Sequence, residues 1–371
     1  MTAEPTSFER DLDRITPRLI GVVGHRNFIA TEVFLRTFCE NIGGGNIIAI
    51  IGPSNSGKSL LLLRLAKHLR EVVFRAAKPE STPIIGAFVL PSNDSRVTPK
   101  YVIQMLLGDA RHPLYDPVKL EQSRHRGSAG SKTEADHLKL LRNLFSISRI
   151  EFVLLDDAQS IARTKNEEFG ATLLEALKVL SGPGQNLVLT GGYELLGPLL
   201  AHRAHLAARV TIVHLAPYEG EADYGAWQSI IKAIEKANPH GIGESGALRA
   251  CSRELYIQCH GCIGVLDKRL QQVIAFAAAC NESITAKMIR AVKPVQAEWS
   301  TIAKDIELGK AALAQVSDVI TPGAPHIDST PEGGRSAMRA EGTMSSTSPT
   351  RKKRLAGSRP FQRKPARVPG G

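Results

Sequence analysis

Asn46-Ile47-Ile48-Ala49-Ile50-Ile51-Gly52-Pro53-Ser54-Asn55-Ser56-Gly57-Lys58-Ser59-Leu60 is an apolar run that breaks into glycine, proline and serine and then opens a leucine-rich helix, Leu60 to Leu69. The segment from Gly52 to Ser59 reads G-x-x-x-x-G-K-S, a P-loop, in the strand–loop–helix context such a loop needs. Glycines let the backbone wrap close to a phosphate. The N–H groups at the start of the helix then point at that anion, and the helix dipole adds to the attraction. Gly52, Pro53, Ser54, Asn55, Ser56, Gly57, Lys58, Ser59 and Leu60 form the candidate nucleotide cradle. Lys58 is expected to reach the β- and γ-phosphates of ATP, and the Ser59 hydroxyl to ligate Mg²⁺.

Two further strands supply the rest of such a site. Ile150-Glu151-Phe152-Val153-Leu154-Leu155-Asp156-Asp157 is an apolar run ending in two carboxylates, a Walker B pattern. Asp156 is expected to hold Mg²⁺ directly or through water. Asp157 is placed to orient or deprotonate the attacking water. Asn186-Leu187-Val188-Leu189-Thr190-Gly191-Gly192-Tyr193 is another buried strand with a polar end, and Thr190 is the candidate sensor of the γ-phosphate. Pro83 to Leu90 is a strand inserted between the two Walker motifs, and Val210 to Leu215 is the last strand. Arg209, just before it, is the candidate arginine finger for a neighbouring subunit's nucleotide, with Arg203 as runner-up.

Outside these strands the readings are coarser. Residues 1–20 read as a leader with an amphipathic stretch from Phe8 to Ile15. His25 to Phe28 reads either as an adenine-packing segment or as a surface turn, ahead of a helix from Ala30 to Asn41. Thr98 to Gly108 and Thr133 to Phe145 read as helices, the second opened by a capping box at Thr133 and Asp136. Glu168 to Leu180 reads as another. Between Arg111 and Lys132 the cations Arg124, Arg126 and Lys132 are either DNA-backbone contacts or solvated surface charge. From Glu219 the pattern is helical, over Ala222 to Lys236, Ser245 to Gln258, Val265 to Ala279 and Ile284 to Ala291. Cys259-His260-Gly261-Cys262 is half a zinc site, and buried cysteines in a turn are the simpler reading.

The net charge of +11 is unevenly placed. Residues 331–371 hold ten Lys/Arg against two Asp/Glu, a net +8. The region from Thr321 to Pro349 is rich in Pro, Gly, Ser and Thr and is expected to be disordered. It leads to Arg351-Lys352-Lys353-Arg354 and a lone aromatic, Phe361, a composition suited to a linear partner-binding motif or to a solubilising tail. No apolar run approaches the ~20 residues that span a bilayer. The N-terminus lacks a signal-peptide pattern, so a cytoplasmic protein is expected.

The order of parts resembles the AAA+ arrangement: P-loop, inserted strand, Walker B strand, sensor strand, arginine, last strand, helical lid. More narrowly, the chain resembles the TniB, TnsC and MuB-like ATPases of bacterial transposons. The residues that carry this are Gly52 to Ser59, Leu154 to Gln159, Leu187 to Leu196, and Arg209 with Val213 to Tyr218. The fold implied is an α/β P-loop NTPase, a parallel sheet flanked by helices, with an all-helical lid and a disordered tail. The corresponding domains are a leader at 1–20, a nucleotide-binding domain at 21–218, a lid at 219–318 and a basic tail at 319–371. The function implied is an ATP- and Mg²⁺-dependent regulator of DNA transposition, assembling with itself as a ring or filament on duplex DNA. Its further partners would be a transposase, met through the C-terminal tail, and a TniQ-type targeting protein. Asp157 departs from the family's usual glutamate and suggests slow hydrolysis. The alternatives are a helicase loader or another AAA+ adaptor, or an adaptor that binds nucleotide without hydrolysing it.

Overall fold

The computed structural model describes residues 5–15, 24–77, 81–89, 97–115, 133–161, 184–201, 209–237, 246–316 and 318–323. These all belong to one compact unit, Met1–His326; the second unit is Ile327–Gly371. Arg124, Arg126, Lys132, Arg203, the helix expected at 168–180 and the basic tail with Arg351, Lys352, Lys353, Arg354 and Phe361 lie outside the described residues.

The centre is a parallel sheet of order β2-β3-β4-β1-β5-β6. Its strands are β1 (Ile47–Ile51), β2 (Ile84–Phe88), β3 (Phe152–Asp156), β4 (Asn186–Gly191), β5 (Val210–His214) and β6 (Val319–Ile320). Strands β1, β3 and β4 are buried on both faces, which explains their unbroken apolar runs. In β1 the alternation divides the side chains between two layers. Ile48 and Ile50 join the core under α1 (Ser7–Ile15), α2 (Arg26–Asn41) and α3 (Lys58–His68). Ile47, Ala49 and Ile51 join the core under α4 (Pro99–Asp109) and α5 (Glu134–Ser148).

Local chemistry sets several of these boundaries. At the start of α5 the Thr133 hydroxyl accepts from the Asp136 N–H at 3.3 Å, while Asp136 accepts from the Thr133 N–H at 2.9 Å. This reciprocal cap satisfies two amides that a helix start otherwise leaves unpaired. The amphipathic stretch at Phe8 is α1, and it is held closely. Phe8 and Leu12 are buried, Arg70 pairs with the buried Glu9, and Asp109 accepts from the Phe8 N–H at 2.7 Å and the Gly86 N–H at 2.8 Å.

After β5 a separate helical core forms around Trp227, from α7 (Gly220–Ala237), α8 (Ala247–Ala250), α9 (Ser252–Gln258), α10 (Ile263–Cys280) and α11 (Ala286–Ala291). α6 (Leu196–Ala201) is a short helix after β4. The sequence pattern did not single out the next helix, α12 (Gln296–Leu313), which carries the chain back to the sheet. There Val319 pairs with Ile212 and Ile320 with Val213, in parallel with β5. Val319 and Ile320, the first residues of the segment expected to be a tail, are thus paired with the sheet. The open edge of β5 recruits the short strand by backbone hydrogen bonding, which leaves no periodicity in so short a sequence.

Candidate nucleotide site

All the strands run the same way, so the C-terminal ends of β1, β3 and β4 open onto one edge of the sheet, where ligands of open α/β sheets bind. The P-loop leaves β1 here. Gly57 caps α3 with φ +98°, a left-handed conformation that glycine adopts without a Cβ penalty. Lys58 folds back onto the loop, its Nζ donating to the carbonyls of Gly52 at 3.0 Å and Pro53 at 2.7 Å. Lost hydration holds its ammonium below the usual lysine range, and the nearby Asp156 carboxylate opposes that shift. These contacts occupy two of the three ammonium donors that could otherwise reach a phosphate.

Asp156 ends β3 and is almost fully buried. Its Oδ1 accepts from the Thr190 hydroxyl, and its Oδ2 is buried with no hydrogen-bond partner. Burial raises the carboxyl, the Thr190 hydrogen bond pulls it back, and the charge of Asp157 raises it further. The Ser59 side chain is close enough to pull it down. An orphaned carboxylate oxygen beside a serine hydroxyl fits a hard divalent cation, which takes oxygen ligands. Among the described residues no group of three or more His, Cys, Asp or Glu is set to hold a metal ion. A cation here would therefore take its remaining ligands from phosphate and water.

Asp157 stands one residue on, with φ +55°. Its Oδ1 accepts from Gln159 Nε2 at 3.0 Å, and Gln159 Oε1 accepts from the Gly192 N–H at 3.2 Å. The sequence reading gave Gln159 no role. The glycine pair at Gly191 and Gly192 was the only hint that something must approach the end of β4 closely.

Thr190 is buried beside Asp156, so the hydroxyl read as a phosphate sensor is engaged with the Walker B carboxylate. Arg209 is elsewhere. Its carbonyl accepts from the Ile47 N–H at 2.8 Å, at the end where β1 begins. The length of β1 therefore separates it from the P-loop, roughly 16 Å at strand rise.

The lid side of the site is made by residues the sequence did not connect. The Gly264 N–H, in the first turn of α10, donates to the Asn55 carbonyl at 2.9 Å, so the lid rests on the P-loop. Lys268 pairs with Glu298 at 2.5 Å, and the buried Arg269 donates to the Ile289 carbonyl at 3.2 Å. His25 is not a surface residue. Its Nδ1 lies 3.0 Å from the Tyr218 hydroxyl, which also accepts from the Asn27 N–H at 3.2 Å. His214, at the end of β5, has its Nε2 3.0 Å from the Tyr193 hydroxyl. Cys259 and Cys262 are buried, and burial pushes both thiols up to about 12, far from the thiolate form a metal or redox site needs.

Residues 41–198 match the family described as AAA domain. The fold is the α/β AAA+ fold. The chain therefore carries an AAA+ ATPase domain, the P-loop and both strand-end carboxylates falling within the matched residues. Among solved structures it is similar to the ORC2 protein of Aeropyrum pernix, in ADPNP–ADP complexes, at 14% identity. That match covers 76% of this chain and 67% of the other, with a TM-score of 0.49. The ORC1 protein of the same organism, in complex with DNA, matches at 14% identity over 73% of this chain and 65% of the other, with a TM-score of 0.48. The RuvB Holliday-junction branch-migration motor of Thermotoga maritima matches at 14% identity over 81% and 87%, with a TM-score of 0.41. Among the described residues no helix is long and apolar enough to cross a membrane.

Proposed function

We propose that this protein is an ATP-dependent AAA+ adaptor. Copies loaded with ATP and Mg²⁺ assemble on duplex DNA, engage a partner enzyme, and let go when ATP is hydrolysed. The observation that carries the nucleotide chemistry is the orphaned Asp156 Oδ2 beside Ser59, at the mouth of the P-loop. Ser59 and Asp156 would hold Mg²⁺, which supplies charge neutralisation on the β- and γ-phosphates. Lys58 leaves the Gly52 and Pro53 carbonyls to meet the phosphates. Asp157 orients a water and takes its proton. The water oxygen bonds to the γ-phosphorus as the bond to the β,γ-bridging oxygen breaks, leaving ADP and inorganic phosphate. Arg209 acts on the nucleotide of a second copy, a role supported by its distance from the P-loop of its own chain. Arg124, Arg126 and Lys132 are proposed DNA-backbone contacts on the ground of their charge.

The partner is a replicative helicase if the adaptor is a loader. A transposase is the second reading, favoured by the sequence from Leu187 to Leu196 and from Val213 to Tyr218, and by the basic tail with Phe361. Phosphate release by the full chain, measured with and without duplex DNA against a Lys58→Ala control, tests the core of the proposal. No release above that control would leave a nucleotide-binding adaptor that does not hydrolyse. Stimulation by the helicase or by the transposase of the same genome then separates the two partner readings.

A further inference from the structure

We infer that Gln159 is a positioning residue that fixes the Asp157 carboxylate to the backbone after β4. The inference rests on the reading of Asp157 as the group that orients the attacking water. Two hydrogen bonds define it. The Gln159 amide donates through Nε2 to Asp157 Oδ1 at 3.0 Å, and accepts through Oε1 from the Gly192 N–H at 3.2 Å. A carboxylate only accepts and a backbone N–H only donates, so the two neighbours fix which way the amide points.

The surrounding backbone is shaped for this bridge. Asp157 has φ +55°, a conformation uncommon for any residue other than glycine, though more accessible to Asp than to most. It turns the chain at once into the 3₁₀ turn Ala158–Ile161, closed by the Ser160 N–H donating to the Asp157 carbonyl at 3.2 Å. That turn brings Gln159 back under the end of β4. A Cβ on Gly191 would stand 3.1 Å from the Gln159 backbone nitrogen and 3.2 Å from its Oε1, so the close approach depends on glycine there.

The consequence is mechanical. Thr190 holds Asp156 and Gln159 holds Asp157, so both carboxylates are tied to one short segment, Thr190 to Gly192. Any shift of that segment on phosphate binding moves the metal-side and water-side carboxylates together. Asp157 is a residue with one fewer methylene than glutamate. A fixed side chain is what a short carboxylate needs to stay aligned with a water.

The test compares Gln159→Glu and Gln159→Met in the full chain, with Asp157→Asn and the Asp157→Asn/Gln159→Met pair alongside. Both Gln159 variants keep the length of the side chain. The glutamate can still accept from Gly192 but cannot donate to Asp157 while ionised; the methionine does neither. Each is expected to lower kcat by about tenfold or more with KM for ATP little changed, the pattern of an interaction used in the transition state. The Gln159→Glu variant is expected to recover activity as the pH falls and its carboxyl regains a proton to donate, whereas Gln159→Met is not. The double variant is expected to be no slower than Asp157→Asn alone. Wild-type kcat in Gln159→Met, or a Gln159→Glu pH profile parallel to wild type, would overturn the inference. If Asp157→Asn itself turns over normally, the reading of Asp157 has failed instead. If the wild type releases no phosphate, the hydrolysis reading has failed, and amide exchange at Gly192 decides the bridge. Exchange slow in wild type and Gln159→Glu but fast in Gln159→Met supports it; equal exchange in all three removes it.

Discussion

The Thr190 hydroxyl donates to Asp156 Oδ1 across neighbouring strands, leaving Oδ2 as the free face of the carboxylate. The residue read as a sensor of phosphate thus also bonds the aspartate that ends β3. Replacing Thr190 by Val keeps the shape of the side chain and removes the donor. The aspartate then has two unpaired oxygens in a buried place, a change that costs about 1–3 kcal/mol. Thr190→Val is expected to raise the Mg²⁺ concentration needed for half-maximal ATP hydrolysis, while metal-free nucleotide binding stays near wild type. Titration of Mg²⁺ at fixed ATP checks it; an unchanged midpoint would mean that the Asp156 orientation does not depend on Thr190. Thr190→Ser, which restores the hydroxyl, is expected to return most of the loss.

Arg209 and the P-loop lie at opposite ends of β1, so an arginine finger at this position serves another subunit or none. Lys58→Ala and Arg209→Ala are each expected to be inactive alone. Mixed together, they place an intact Lys58 beside an intact Arg209 at some interfaces. Recovery of up to about a quarter of wild-type hydrolysis is the expected outcome for random assembly of this kind of paired site. Strictly zero activity in the mixture, with assembly of both variants confirmed, would remove Arg209 from the site.

What could be read in advance follows the range of the interaction concerned. The Gly52 to Ser59 loop is a strand, a turn and a helix start in one continuous stretch, so its chemistry is written locally. Asp156 is equally legible because its strand is buried on both faces and ends abruptly in charge. The His25–Tyr218 pair was invisible: 193 residues separate the partners, and a histidine beside glycine reads as a turn. Lys268 is engaged by Glu298 and Arg269 by the Ile289 carbonyl, partners from later helices that no local pattern around 268 and 269 announces. Strand β6 escaped because its pairing is supplied by the edge of β5 and not by any pattern of its own.

Two buried histidines make stability depend on mildly acidic pH. Burial lowers His25 from 6.5 to about 4, with the nearby Arg64 adding to the shift. His214 falls from 6.5 to about 4 through burial and then through Lys58. Both folded values lie below the unfolded one, so the unfolded chain binds the proton more readily. Stability from each is fully present above about pH 6.5 and is lost as the pH falls towards 4. At pH 5 the loss is on the order of 2 kcal/mol for each histidine. Urea midpoints at pH 7 and pH 5 check the slope. His25→Gln is expected to flatten it by about half, and an identical slope in that variant would show that His25 takes up its proton equally well in both states.

The contact between Gly264 and Asn55 joins lid to P-loop through backbone alone, and it predicts opposite outcomes for two glycine-to-alanine changes. A Cβ on Gly264 would stand 2.3 Å from the Asn55 carbonyl oxygen, a backbone atom that cannot swing aside. On helix α7, a Cβ on Gly225 meets nothing within 4 Å. Alanine favours a helix over glycine by about 1 kcal/mol, so Gly225→Ala is expected to stabilise the chain with nucleotide affinity unchanged. At Gly264 the clash opposes that gain, because inserting a carbon into a filled contact costs about 1–3 kcal/mol. Relief comes most cheaply by lifting the first turn of α10 off Asn55, which opens the lid side of the nucleotide cradle. Gly264→Ala is therefore expected to lower the unfolding midpoint and to release a fluorescent ADP analogue about tenfold faster, as for a lid set partly open. Stopped-flow displacement of that analogue from both variants is the measurement. Equal release rates would mean that the lid does not hold nucleotide through the Gly264 contact, and that Asn55 is free to follow the helix when it moves.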